Sequence, residues 1–250
     1  MSSWIARLNE DVDEEEVTTL RSREAGEGTG VLEKIFESKV FNYSKPPSLM
    51  KQLVVQSTDS DSLVLDFFAG SGTTAQAVLE QNLEDEGVRR FILVSSTEAT
   101  EAEPSKNICR DVCAVRTRAV IKGFGGKKPT GGDFAYLRTQ RIRPGLLLEI
   151  EHAEVWIALQ LAHLDSVSPY EEVSFLWAGD EESAICYVPR FHRDCIAALR
   201  RKVQESASVA IYSWQPQTLR QHIPDGHVTH LPVSETLTRR FGLNLTLTPA

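Results

Sequence analysis

Cysteine is scarce in this chain and long apolar runs are missing, and each absence closes off a class of protein. Four cysteines stand among 250 residues, Cys109, Cys113, Cys186 and Cys195. None forms a Cys-x-x-Cys pair and no histidine lies at zinc-ligand spacing from them, so neither a disulfide framework nor a metal site is expected. Cys109 and Cys113, one helical turn apart, read as small buried apolar side chains. No apolar run approaches the roughly 20 residues needed to span a bilayer. The opening Met1-Ser-Ser-Trp-Ile-Ala-Arg7 lacks the apolar stretch of a signal peptide. The expectation is a cytoplasmic protein without a membrane partner. An excess of positive charge is also lacking. The net charge is -8, which opposes nonspecific DNA binding by the surface as a whole, because phosphate contacts need Lys and Arg.

What is present is an ordinary globular composition, 41% hydrophobic and 25% charged, in a chain long enough for one large or two smaller domains with sizeable cores. Charge is spread unevenly. Glu10 to Glu16 is an acidic run. Between residues 110 and 143 the chain is basic, with Arg110, Arg116, Arg118, Lys122, Lys127, Lys128, Arg138, Arg141 and Arg143 against Asp111 and Asp133. That stretch fits a local phosphate-binding surface or a solvated helix face and loop, and the sequence leaves both open.

Residues 1–29 are polar, acidic and glycine-containing and read as a flexible lead-in. Residues 30–149 form the next expected domain. Within it, Leu63-Val-Leu-Asp-Phe-Phe68 is a short apolar run of strand type, Ala69-Gly-Ser-Gly72 a glycine-rich turn, and Thr73 to Asn82 a helix with threonines at its start. Arg90-Phe-Ile-Leu-Val94 is a second strand, Asn107 to Ile121 a second helix and Phe134-Ala-Tyr-Leu-Arg138 a third strand. The sum is an α/β fold, half of a doubly wound Rossmann-like sheet. Residues 150–250 read as a separate small α/β interaction domain. It starts with a helix over Glu154 to Leu164. Val173 to Ala178 and Ser183 to Val188 then make a hairpin around Gly179-Asp-Glu-Glu182. A helix near Asp194 to Gln204, strands at Val209 to Ser213 and near Val228, and a short helix near Leu237 complete it.

Gly70-Ser-Gly72-Thr-Thr-Ala75 ends a strand and opens a helix. Glycine lets the backbone turn sharply and lets a ligand come close, and a helix N-terminus offers unpaired N–H groups and partial positive charge. The loop suits an anionic or zwitterionic small molecule; the plainer alternative is a purely structural turn. A P-loop is excluded, because no Gly-Lys-Ser/Thr is present. A dinucleotide fingerprint matches formally, but it wants an acid at the end of the second strand, where Ser95 and Ser96 stand.

Asp66-Phe-Phe-Ala-Gly70-Ser-Gly72-Thr-Thr74 resembles the Asp-x-Phe-x-Gly-x-Gly motif of amino-methyltransferases that act on DNA. The wider chain, from about residue 30, resembles the modification subunits of type III restriction-modification systems, DNA adenine-N6 methyltransferases of the beta class. Phe41-Asn-Tyr-Ser-Lys45-Pro46-Pro-Ser-Leu49 looks like their second cofactor motif, and it precedes the glycine motif as it does in them. The resemblance implies S-adenosyl-L-methionine as cofactor. Asp66 would contact its methionine end, with Phe68 in the same motif. Gly70 and Gly72 would bring backbone N–H groups to it, Thr73 and Thr74 would hold its carboxylate, and Lys45 and Pro46 would close the pocket. The family's ribose-binding acid is replaced by Ser95, and Glu98 is the nearest substitute.

One more absence matters. Methylating an adenine amino group requires the base to be flipped out and its nitrogen positioned, which the family does with an Asp/Asn/Ser-Pro-Pro-Tyr/Phe tetrapeptide. The 65 residues before Asp66 do not contain it. Lys45-Pro-Pro-Ser48 lacks the polar and aromatic ends, and Ser168-Pro169-Tyr170 has a single proline and reads as a loop before the hairpin. No catalytic residue is therefore assigned. The expectation is a cofactor-binding portion that reaches DNA through a complex, with a second methyltransferase chain, a restriction subunit or a second copy as partner. The rival readings are a docking or dimerisation module with a vestigial cofactor fold, and a nicotinamide-dependent oxidoreductase. The latter gives no reason for Asp66-x-Phe68 or for Lys45-Pro46.

Overall fold

A computed structural model describes residues 5–7, 20–22, 26–139, 149–164, 166–224 and 226–241. The chain divides into two compact units, Met1–Leu137 and Arg138–Ala250.

In the first unit, β1 (Ile5–Arg7) and β2 (Leu20–Ser22) pair in parallel. Helices α1 (Glu27–Phe36) and α2 (Pro47–Ser57) follow. Then come β3 (Leu63–Asp66), α3 (Thr73–Asp85) and β4 (Arg90–Leu93). A π-helical turn at Cys109–Cys113 leads into α4 (Ala114–Lys122). Strands β3 and β4 are parallel, with Leu63 opposite Arg90 and Asp66 opposite Leu93, as a strand–helix–strand unit requires. Val64 and Phe91 point inward and pack with Val54 and Met50 of α2 and Ala77 and Val78 of α3. The alternate residues, Leu63, Leu65, Ile92 and Val94, lie on the opposite face and are about half exposed.

Two expectations for this unit are corrected. The lead-in of residues 1–29 contains the β1–β2 pair and the first turn of α1. The Glu27 carboxylate accepts hydrogen bonds from the Ser48 N–H at 3.2 Å and the Ser48 hydroxyl at 2.5 Å, at the start of α2, where negative charge is favoured. Gly28 lies so close to the Ser44 and Lys45 carbonyls that a Cβ would fall 2.2 Å and 2.6 Å from their oxygens. Second, Phe134 to Arg138 is not a strand; residues 123–139 hold no regular element. Its alternating pattern supplies a face but no partner edge. Side chains anchor it instead, with Arg118 over the Phe134 ring at 5.4 Å and the Tyr136 hydroxyl 3.5 Å from the Asn107 amide nitrogen.

The second unit is a four-stranded sheet in the order β5 (Leu176–Gly179), β6 (Ser183–Val188), β7 (Ser208–Ser213), β8 (Val228–Pro232). β6, β7 and β8 are parallel, and β5 is an antiparallel edge strand joined to β6 by the expected hairpin. The Asp180 carboxylate makes that turn by accepting the Glu182 and Ser183 N–H groups at 3.0 Å each. Helices α5 (His152–His163) and α8 (Val233–Phe241) cover one face, α6 (Ile196–Lys202) and α7 (Pro216–His222) the other. Helix α5 starts with a capping box between Glu151 and Glu154. Period-two alternation sorts the core: Ile185, Tyr187 and Tyr212 face α5 and α8, while Cys186, Val188, Val209 and Ile211 face α6 and α7. Helix α7, with Pro216 in its first turn, was not anticipated; it is short, and only the proline marks its start. No helix among the described residues is long and apolar enough to cross a membrane.

Candidate functional site

The site is built where β3 ends. The Asp66 carboxylate does not point loosely into solvent. Its Oδ1 accepts the Phe68 N–H at 2.9 Å and its Oδ2 accepts the Thr74 hydroxyl, so one side chain ties the strand end to the helix start. β4 supports the same turn, with the Val94 N–H donating to the Asp66 carbonyl at 2.8 Å and the Ala69 N–H donating to the Val94 carbonyl at 3.1 Å.

Gly70 and Gly72 have φ of +48° and +78°, in the region that glycine occupies without strain. Gly72 is also crowded: a Cβ there would lie 2.8 Å from Cys113 Sγ. Its N–H donates to the Ala69 carbonyl at 2.7 Å. Gly72 thus gives the loop its shape, rather than the amide expected for a ligand. At Gly70 a Cβ would meet the Phe41 ring at 3.4 Å, which brings the upstream motif against the glycine loop.

Thr73 and Thr74 are buried, and their hydroxyls are engaged within the protein. The Thr73 hydroxyl lies 3.4 Å from the Lys45 carbonyl, to which it donates, and it accepts from Arg116 at 2.7 Å. What they leave for a ligand is the N-terminal turn of α3, whose first N–H groups have no acceptor within the helix. Lys45 is exposed and Pro46 half-buried at the start of α2. The structure therefore brings Lys45, Asp66, Gly70, Gly72, Thr73 and Thr74 to one loop junction. Phe68 stands on this loop and is 94% exposed. Glu98 lies in the segment after β4, with φ of +52° and its carboxylate 3.8 Å from the Lys106 ammonium.

Several participants escaped the sequence reading. Ser44 and Ser71 are buried with hydroxyl oxygens 2.9 Å apart. Arg116, from α4, is fully buried and donates to both, at 3.1 Å and 3.0 Å, and through Nε to the Gln76 side chain at 2.9 Å. Burial lowers its pKa to about 10, so it stays charged at neutral pH. Tyr43, two residues before Lys45, is 92% exposed with φ of +62°. The position of Ser44 beside Lys45 was a usable signal; nothing in the spacing of the basic stretch singled out Arg116.

That stretch is not one surface. Arg110 pairs with Asp111 at 2.6 Å, Lys127 with Glu80 at 2.6 Å, and Arg116 faces inward. Arg141 and Arg143 lie outside the described residues. Burial raises the thiol pKa of Cys109 and pushes that of Cys113 up to about 12, so neither is a nucleophile at neutral pH. Among the described residues no group of His, Cys, Asp and Glu is placed to hold a metal ion. Ser168 of the near-miss triplet is occupied: its N–H and hydroxyl donate to the Gln160 side-chain oxygen at 2.7 Å and 2.9 Å.

Comparison with known proteins bears on the same part of the chain. Residues 4–101 match the family model described as DNA methylase, which takes in both loop motifs and β4. The chain is 47% identical over 73 residues to the Mod subunit of the type III restriction-modification enzyme StyLTI of Salmonella typhimurium, and 49% identical over 70 residues to that of EcoPI from Escherichia phage P1. These matches cover 29% and 28% of this chain and 11% of each relative. A third, to the type II methyltransferase M.KpnI of Klebsiella pneumoniae, is 44% identical over 68 residues, 27% of this chain and 16% of the relative. Residues 4–101 thus resemble a DNA methylase segment, and the chain matches about a tenth of the length of the Mod subunits.

Proposed function

We propose that the first unit is the S-adenosyl-L-methionine-binding portion of a DNA adenine-N6 methyltransferase of a type III-like restriction-modification system, working in the cytoplasm as part of a complex. The observation that carries this is the junction itself. A strand-end carboxylate, a left-handed glycine turn, a helix N-terminus and the Ser44–Lys45–Pro46 segment meet around one loop.

The donor set suits a zwitterionic nucleoside. The first turn of α3 and the buried Arg116 charge favour a carboxylate. The exposed rings of Phe68 and Tyr43 are open to stacking with a base. When bound, S-adenosyl-L-methionine supplies a methyl group activated on a sulfonium. The chain's own part is to hold and orient. Asp66 fixes the turn, and the helix terminus takes the anionic end.

Base flipping and attack are assigned to a partner that carries the Pro-Pro-containing tetrapeptide and the target-recognition region, a methyltransferase chain acting with a restriction subunit. The bare face of β3 and β4 supports that assignment. Parallel sheets are ordinarily covered on both sides, and here Leu63, Leu65, Ile92 and Val94 form a half-exposed apolar face with no helix of the described residues packed on it.

The test is calorimetric titration of the purified chain with S-adenosyl-L-methionine, with NAD and an Asp66→Ala variant alongside. The reading expects micromolar binding of the first, none of NAD and loss in the variant. Absence of binding by a folded chain refutes it. One observation favours the second reading, a docking module with a vestigial fold: Ser95 stands at the ribose-acid position, and Glu98 is drawn to Lys106.

A further inference from the structure

Among the described residues of the first unit, two arginines are buried, and they are compensated differently. Arg89 is paired with the Asp85 carboxylate at 2.8 Å. Arg116 is more deeply buried, and among the described residues no carboxylate lies within ion-pair distance of it. Its acceptors are all neutral. Nε reaches the Gln76 side chain; Nη1 reaches the hydroxyls of Ser44, Ser71 and Thr73 and, at 3.5 Å, the Ser71 carbonyl. Nη2 is buried with no hydrogen-bond partner.

A buried charge held only by neutral dipoles is poorly compensated. Here its neighbour makes matters worse. Ser71 and Thr73 flank Gly72, the residue that caps α3, so the guanidinium sits against the positive end of that helix dipole. Two positive features of the fold converge on one loop; the nearby carboxylates are already engaged, Asp66 by Phe68 and Thr74 and Glu80 by Gln76 and Lys127, and neither bonds the guanidinium directly. No packing requirement explains this; a methionine or leucine fills such a space without the penalty. An anionic ligand group at the helix start relieves both charges at once. The four hydroxyl and carbonyl contacts also link Ser44, next to Lys45, to Ser71 and Thr73, so the same side chain fixes the gap between the two loop motifs.

We infer that Arg116 is a positioning residue that sets the glycine loop for the carboxylate end of the ligand, acting through Ser71 and Thr73 rather than by touching it. This rests on the proposed cofactor-binding reading and adds a part of the ligand to be recognised. The amino-acid tail, more than the nucleoside, draws its affinity from this charge.

Two ligands separate the contributions. S-Adenosylhomocysteine carries the tail, whereas 5′-methylthioadenosine keeps the nucleoside and thioether without it. The wild-type chain is expected to prefer the former by about tenfold or more, the scale of a hydrogen bond to a charged group. Arg116→Met is expected to abolish that preference while leaving 5′-methylthioadenosine binding within about twofold, and Arg116→Lys to keep part of it. Equal loss for both ligands in the variants means a merely structural residue and overturns the inference. Should Arg116→Met fail to fold, the wild-type ratio decides alone: equal affinity for the two ligands overturns the inference and leaves the cofactor reading standing. Binding of neither ligand removes the reading on which it rests.

Discussion

The two sheets of this molecule obey the same alternation and end up in different states. In the second unit, every strand is sandwiched: the residues of β6 and β7 that point one way meet α5 and α8, and those that point the other way meet α6 and α7. In the first unit, β3 and β4 have α2 and α3 on one face and, among the described residues, no helix packed on the other, where Leu63 is 52% and Ile92 47% exposed. A strand pair whose face of Leu63, Leu65, Ile92 and Val94, with Arg90 at one end, is about half exposed suits the proposed completion by another protein better than independence. The comparison teaches that the same strand alternation can close a core on both faces or leave one face half exposed, depending on which helices pack against it. The second unit has a core closed on both faces of its sheet, and the first presents a loop junction and a half-exposed apolar sheet face.

Substitutions break or sharpen that contrast. The largest effects belong to the closed core. Trp156→Ala, which empties a fully buried indole site, is expected to cost about 3–5 kcal/mol in denaturant unfolding. Ile211→Ala in β7 is expected to cost about 2–5 kcal/mol. Leu65→Ala and Ile92→Ala, equally apolar in sequence, are expected to stay within about 1 kcal/mol of wild type. Comparable losses at both places would erase the distinction.

Next comes the loop. Gly72→Ala forces a side chain onto a φ of +78° and against Cys113 Sγ. A cost of about 1–3 kcal/mol is expected, together with loss of cofactor affinity in the titration. A stable variant that binds normally would show that the turn is not needed in this shape.

A smaller effect is pH-dependent and confined to the second unit. His152, His163 and His230 are all shifted down by burial, with nearby Arg190, Arg240 and Arg220 acting in the same direction. His152 Nδ1 lies 2.7 Å from the Tyr187 hydroxyl, and His163 Nε2 meets the Tyr212 hydroxyl. A neutral imidazole can accept from these hydroxyls. The unfolded chain therefore binds protons more readily than the folded one below the ordinary histidine value of 6.5. Stability is expected to be full above that pH and to fall as pH drops beneath it. A thermal melt that is flat from pH 7.5 to 5.5 would contradict this.

Much of the architecture could be read before the structure was in hand, for identifiable reasons. The glycine loop announced itself because strand, turn and helix signals followed one another from Leu63 to Asn82. The hairpin around Asp180 did so because alternation resumed on both sides of a turn sequence. What stayed hidden depends on tertiary direction. Arg116 is one of nine cations between residues 110 and 143, and nothing local says which of them turns inward. Phe134 to Arg138 has strand spacing, but a strand needs an edge to pair with, and Arg118 and Asn107 hold the segment by its side chains. Glu27 and Gly28 looked like flexible polar sequence because their partners, Ser48 and the Ser44–Lys45 carbonyls, are supplied by a later segment.

The most direct test of the whole account is amide hydrogen exchange on the chain with and without saturating S-adenosyl-L-methionine. The account predicts added protection at residues 43–46 and 66–76, with the sheet of the second unit unchanged. Protection that appears only in the second unit, or none anywhere in a chain that is folded, would contradict it.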